Sequence, residues 1–184
     1  MSDRRRIYVT GGAGVGKTTL AKSLSEATGI PYFELDSLLW QDEGRGARVP
    51  ALDRMDRMHE ISMQSEWIAE GVYVGWTQEL WREADLIIFV DASLWLVLRR
   101  IFWRHLRAEL RRNNRHSGWM KLFRFMRSVV RSHRSNETGD IDDDEDDILT
   151  RAKIMAKLQQ HRDKALVVGS SPNIEKILSR MVRQ

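Results

Sequence analysis

Gly11-Gly12-Ala13-Gly14-Val15-Gly16-Lys17-Thr18 is the stretch whose reading decides the fold. It satisfies G-x-x-x-x-G-K-[ST]. It lies between a short apolar run at 7–10 and a segment, 18–28, that puts Leu20, Ala21, Leu24 and Ala27 on one helical face. Strand, loop and helix in that order define a phosphate-binding loop rather than a glycine-rich turn. Its glycines let successive N–H groups turn inward around an anion, and the following helix adds the partial positive charge of its N-terminus. The candidate nucleotide-binding residues are Gly11, Gly12, Ala13, Gly14, Val15, Gly16, Lys17, Thr18 and Thr19. Lys17 is expected to reach the β- and γ-phosphates of ATP, and the Thr18 hydroxyl to ligate Mg²⁺.

Further along the chain, residues 31–35, 67–69, 86–90 and 166–168 read as strands, each ending at a small or acidic residue. Runs without polar alternation, separated by helical segments, predict an α/β protein whose parallel strands are buried on both faces between two helical layers. Ligands of such sheets sit beyond the carboxyl ends of the strands. About seventy residues separate the fourth and fifth strands, more than a crossover needs, so an insertion is expected there. Within it, 94–110 and 119–130 have helical spacing, the second with Trp119, Leu122, Phe123, Met126 and Val130 as its inner face. A further helix is read over 148–160, after the acidic run 140–147 that suits a helix N-terminus.

At 184 residues a single domain is expected, and 42% hydrophobic against 30% charged residues is a soluble globular balance. No stretch reaches the ~18 apolar residues of a bilayer span. The basic N-terminus runs into glycines rather than a signal-peptide core, so a cytoplasmic protein without a membrane partner is expected. The absence of cysteine removes thiolate metal sites and nucleophiles. Charge is segregated: residues 99–134 are strongly basic with Glu109 as their one acid, whereas 140–147 is almost wholly acidic.

At the second strand, alternation points Glu34 and Asp36 to one side, where a carboxylate holds Mg²⁺ through water or accepts the proton of an acceptor hydroxyl. The competing reading makes Asp36 a helix N-cap. Glu70 and Asp91 end the third and fourth strands. Glu70 is preferred as the metal-orienting acid, acting through water, and Asp91 as a cap. Arg100 and Arg104 share a helix face from which they could clamp a migrating phosphoryl group, with Arg151 joining on closure. The aromatic residues among the basic ones are read as the inside of a helix rather than as base-stacking groups.

On these residues the chain resembles the small phosphate-loop kinases related to adenylate kinase and shikimate kinase. More closely, it resembles the bacterial family labelled DNA topology modulation proteins. The likeness lies in the loop followed by IPYFELDSLLW, EWIAEGVY, ADLIIFVDAS and LRRIFWR, and in the acidic, Arg-containing return from residue 140 onward. The resemblance implies a five-stranded parallel sheet of order 2-3-1-4-5, an acceptor-binding insertion at 37–65 and an Arg-rich helical lid at 99–150. It also implies that Asp36 faces the acceptor and that Arg100, Arg104 and Arg151 are lid arginines. The closer family reads D-G-N-Y where this chain has Glu70-Gly71-Val72-Tyr73, and the D-G-F-P-R segment of true adenylate kinases is missing. Adenylate kinase activity itself is therefore not implied.

The expected function is transfer of the γ-phosphate of ATP to a nucleoside, a nucleoside monophosphate or another hydroxyl metabolite. Residues 41–57 are expected to cover the acceptor, with Arg48, Arg54 or Arg57 as an anion contact. Two rivals stand beside it: an ATP-binding regulator whose basic insertion touches nucleic acid, and a plain NTPase.

Overall fold

A computed structural model describes residues 5–40, 47–110, 118–135 and 150–181. The acidic run, the basic residues 111–117, residues 41–46 of the acceptor segment and residues 148–149 lie outside the described residues. In chain order the elements are β1 (Arg5–Thr10), α1 (Lys17–Thr28), β2 (Tyr32–Glu34), a 3-10 turn (Leu35–Leu38), α2 (Ala51–Ser62), β3 (Glu66–Gly71) and α3 (Gln78–Glu83). They continue with β4 (Leu86–Val90), α4 (Leu94–Leu110), α5 (Trp119–Arg134), α6 (Arg151–Gln160), β5 (Ala165–Val168) and α7 (Ile174–Met181).

The strands form one sheet in the order β2-β3-β1-β4-β5, every pair parallel. Side chains alternate across β1, so Ile7 and Val9 join the cluster under α1, α4, α5 and α7, while Tyr8 joins the one under α2, α3 and α6. The expected three-layer α/β arrangement is therefore present. Trp67 and Trp81, both fully buried, anchor the second cluster, and truncating either to alanine should cost about 3–5 kcal/mol.

Two sequence readings are corrected by the packing. Burial on both faces holds for the central strands but not for β5, where Val167 is 55% exposed. That strand is the sheet edge, and among the described residues the helical layer on Val167's side leaves it open. The inner face of α5 runs through Leu122, Met126 and Val129, with Trp119 and Phe123 turned outward at 48% and 65% exposure. Steps of four and three keep those three inner residues aligned; Phe123 sits off that line, whereas Trp119 shares it but is the first residue of the helix. On α4 likewise Val97, Ile101 and His105 are buried, while Phe102 and Leu110 face out.

Candidate active site

Each strand delivers its last residue to one rim of the sheet, and the phosphate loop closes that rim over β1. Two of its glycines are sterically required. A Cβ on Gly11, at φ +148°, would lie 2.5 Å from the Val90 carbonyl oxygen, and one on Gly14, at φ +75°, would press on Ile101 at 3.1 Å. Gly16, also left-handed at φ +113°, caps α1 and leaves Lys17 and Thr18 in its first turn. Lys17 Nζ donates to the Gly12 carbonyl at 3.1 Å. Burial pushes its ammonium below the ordinary lysine range, with Glu70 and Asp36 pulling the other way.

Parallel register sets Glu70 of β3 beside Val9 of β1 and Glu34 of β2. Thr18 Oγ1 donates to Glu70 Oε1 at 2.7 Å, and Tyr32 Oη donates to the same oxygen at 3.3 Å. Burial raises the Glu70 carboxyl, against the lowering effects of Lys17 and the Thr18 hydrogen bond. No group of three or more His, Cys, Asp or Glu side chains able to hold a metal exists among the described residues. Hard oxygens from Thr18 and Glu70 nevertheless fit Mg²⁺, which keeps waters and substrate phosphates as most of its ligands and takes one or two from protein.

Asp36 is not where strand alternation put it. β2 ends at Glu34 and the chain enters the 3-10 turn, so Glu34 and Asp36 no longer belong to one extended strand. Nor is Asp36 a cap, since the N-cap position is Glu34 and makes no side-chain capping bond. Instead Asp36 is exposed and its Oδ1 accepts a 2.8 Å hydrogen bond from Tyr73 Oη. Tyr73 is pinned through its carbonyl, which accepts from Tyr8 Oη (2.9 Å), Thr77 Oγ1 (2.8 Å) and Trp81 Nε1 (3.4 Å). Burial, then the Asp36 charge, raises the Tyr73 phenol, so it stays protonated and remains a donor. The sequence reading assigned Tyr73 no role, although its position two residues past Gly71, the last residue of β3, is the signal that would have found it.

Two cavities flank the loop. One, of about 510 Å³, is lined by Lys17, Thr18, Thr19, Arg100, Arg104 and Ser170. The other, of about 230 Å³, is lined by Gly12, Ala13, Tyr73, Asp91, His133 and Arg151. The three predicted lid arginines therefore do not converge. Arg100 donates to the Val15 carbonyl at 2.6 Å and to the Ser170 carbonyl at 3.1 Å, bracing the phosphate loop against the segment after β5. Arg104, one turn on, is exposed at the same cavity. Arg151 faces the other cavity and pairs with Asp91 through two bonds of 2.7 and 3.2 Å, so Asp91 serves as an ion-pair partner there. Of the insertion arginines, Arg48 stacks over Trp40 and Arg54 over Trp76, at 5.7 and 5.6 Å, and Arg57 is exposed.

No family model matches the chain. It is 26% identical over 87 residues to the "Uncharacterized protein YqaC" of Bacillus subtilis (strain 168), a match that spans 47% of this chain and 49% of that relative, about half of each. Among solved structures, the shikimate kinase of Acinetobacter baumannii in complex with shikimate superposes with a TM-score of 0.53 at 16% identity, over 96% of this chain and 92% of that one. A gluconokinase from Sinorhizobium meliloti 1021, also 16% identical, covers 100% of this chain and 92% of its own at a TM-score of 0.49, too low to add weight. At such identities the likeness is one of fold: the chain has the phosphate-loop kinase fold.

Proposed function

We propose that this protein is an ATP- and Mg²⁺-dependent phosphotransferase that moves the γ-phosphate of ATP to a hydroxyl of a small acceptor. The observation that carries the reading is that the phosphate loop separates two cavities. A plain NTPase needs one cavity for the nucleotide and water, whereas a kinase needs a second for the acceptor. In this reading the larger cavity takes ATP, with Lys17 and the loop amides on its phosphates and Arg104 close by. Arg100 holds the loop in shape. The smaller cavity, bounded by Tyr73 and the Gly12–Ala13 side of the loop, takes the acceptor.

Asp36, held at one oxygen by Tyr73, keeps its other oxygen for the acceptor O–H. The acceptor oxygen forms the new bond to the γ-phosphorus, the bridging P–O bond breaks, ADP leaves, and the proton passes to Asp36. Thr18 and, through water, Glu70 would hold Mg²⁺, whose contribution is to neutralise charge on the phosphates. Arg151, bound to Asp91 beside the acceptor cavity, is in reach of that ligand rather than of the nucleotide. Among phosphate-loop kinases, the sequence likeness favours the family labelled DNA topology modulation proteins, and reliance on ATP favours the cytoplasm.

Incubation with labelled ATP, Mg²⁺ and a panel of nucleosides, nucleoside monophosphates and hydroxylated acids tests the proposal. A labelled acceptor supports it. Label appearing only as inorganic phosphate, unaffected by every acceptor, overturns it in favour of an NTPase.

A further inference from the structure

Helix α4 is apolar on two sides. Val97, Ile101 and His105 point into the core, while Trp95, Phe102, Trp103 and Leu110 are 75, 38, 51 and 76% exposed. Its outer apolar side is open among the described residues. The patch runs on into α5. Phe102 lies against Trp119 with ring centroids 6.3 Å apart, and Glu109 Oε1 accepts the Gly118 N–H at 3.2 Å, tying the end of α4 to the start of α5. Met120 and Phe123, 76% and 65% exposed, extend it over the first turns of α5. Contiguous exposed apolar surface on this scale marks a contact surface.

Basic side chains surround it. The two helices carry four arginines on α4 and five Arg or Lys residues on α5, against Glu109 as their one acid. Arg99, Arg107, Lys121, Arg124 and Arg127 are all exposed beside the aromatic residues. We infer that this face docks on an anionic membrane surface, its aromatic and aliphatic side chains entering the headgroup region while the arginines and lysines pair with lipid phosphates.

The composition and geometry select that occupant over others. A second copy related by a two-fold axis would set the patch on itself and bring basic rim against basic rim. Single-stranded nucleic acid stacks its bases on aromatic faces, but the patch mixes Trp95 and Phe123 with Leu110 and Met120, whose aliphatic side chains, each 76% exposed, offer none. Trp119 is turned toward Phe102 and His105, at centroid distances of 6.3 and 5.5 Å. Tryptophans bordering an apolar helical face, ringed by Arg and Lys, are what an interfacial helix requires. No described helix is long and apolar enough to cross a membrane, so the contact is peripheral. The expectation of no membrane partner rested on the missing span and on the N-terminal residues, neither of which bears on a peripheral contact.

Co-sedimentation of the full chain with vesicles tests this without any acceptor and independently of the proposed reaction. The protein should pellet with phosphatidylcholine vesicles containing phosphatidylglycerol and not with phosphatidylcholine alone, and most should be released between ~0.1 M and ~1 M salt. The double variants Met120→Glu/Phe123→Glu and Arg124→Glu/Arg127→Glu should each lower vesicle affinity at least about tenfold. Both should keep the wild-type circular dichroism and ATP affinity, since none of these residues lines the site. Three results would overturn the inference. They are failure to pellet with anionic vesicles, equal binding to neutral ones, and undiminished binding by the well-folded Met120→Glu/Phe123→Glu protein. A concentration-dependent dimer or a labelled oligonucleotide complex lost in that variant, with vesicles ignored, would reassign the face.

Discussion

The two sides of the candidate site are built in opposite ways. On the nucleotide side, eight consecutive residues supply the glycines, the lysine and the hydroxyl, and the geometry follows from local backbone: left-handed φ at Gly14 and Gly16, then the first turn of α1. On the acceptor side, Tyr73, Asp91, His133 and Arg151 come from four separated stretches and line one cavity, with Asp36 joined to it through the Tyr73 hydroxyl, because the parallel sheet brings its strand ends to one rim. A contiguous motif tolerates drift elsewhere in the fold. An assembled site depends on every element that positions it, and its residues are individually ordinary.

The difference can be broken at its strongest point first. Lys17→Ala should abolish measurable ATP binding, a loss of about 10²-fold or more, because a buried cation aimed at the phosphates has no substitute nearby. Isothermal titration with ATP checks it, and unchanged affinity would remove the nucleotide assignment. Asp36→Asn should instead spare ATP affinity and lower phosphotransfer about 10²-fold or more, through loss of the proton acceptor. Parallel loss of ATP binding would show that the two sides are not separable as drawn. Tyr73→Phe should have a smaller effect, about tenfold on turnover with ATP affinity unchanged. One hydrogen bond contributes roughly 1 kcal/mol, and the three donors on the Tyr73 carbonyl still hold the backbone.

The smallest effect concerns Asp91. Its carboxyl is held below the ordinary value of 3.8 by the Arg151 hydrogen bonds and charge. A depressed folded-state value contributes stability that is present above the unfolded value and lost as pH falls through the folded one. Both partners are about a third or more exposed, so Asp91→Asn should cost only about 0.5 kcal/mol at neutral pH. Urea unfolding should show wild type and variant converging as pH drops below the carboxylate range. A gap that persists there would show that the pair acts through packing rather than charge.

Legibility in the sequence follows the same division. The phosphate loop and α1 were readable because spacing alone encodes them, and all five strands appeared as apolar runs because a parallel sheet needs them. Glu70 could be placed at a strand end beside the phosphate loop, and it is there that it accepts the Thr18 hydroxyl. The position of Asp36 was not legible, since alternation cannot foresee the chain leaving β2 for a 3-10 turn. Tyr73 went unassigned because its significance lies in a partner 37 residues away.

The helices after β4 show the limit most clearly. Periodicity announces that α4 and α5 are amphipathic, but when both sides of a helix carry apolar residues the pattern cannot choose which side faces in. Packing chose Leu122 and Val129 over Trp119 and Phe123, and so left an aromatic face outside. By itself, then, the sequence determined whatever depends on local backbone and residue type: the phosphate cradle, the strands and the helical segments. Tertiary structure alone decided which scattered side chains share a cavity, which arginines brace the loop rather than clamp a ligand, and which apolar surface remains exposed. Those are contests between alternative contacts, settled by how the whole sheet and its two helical layers close.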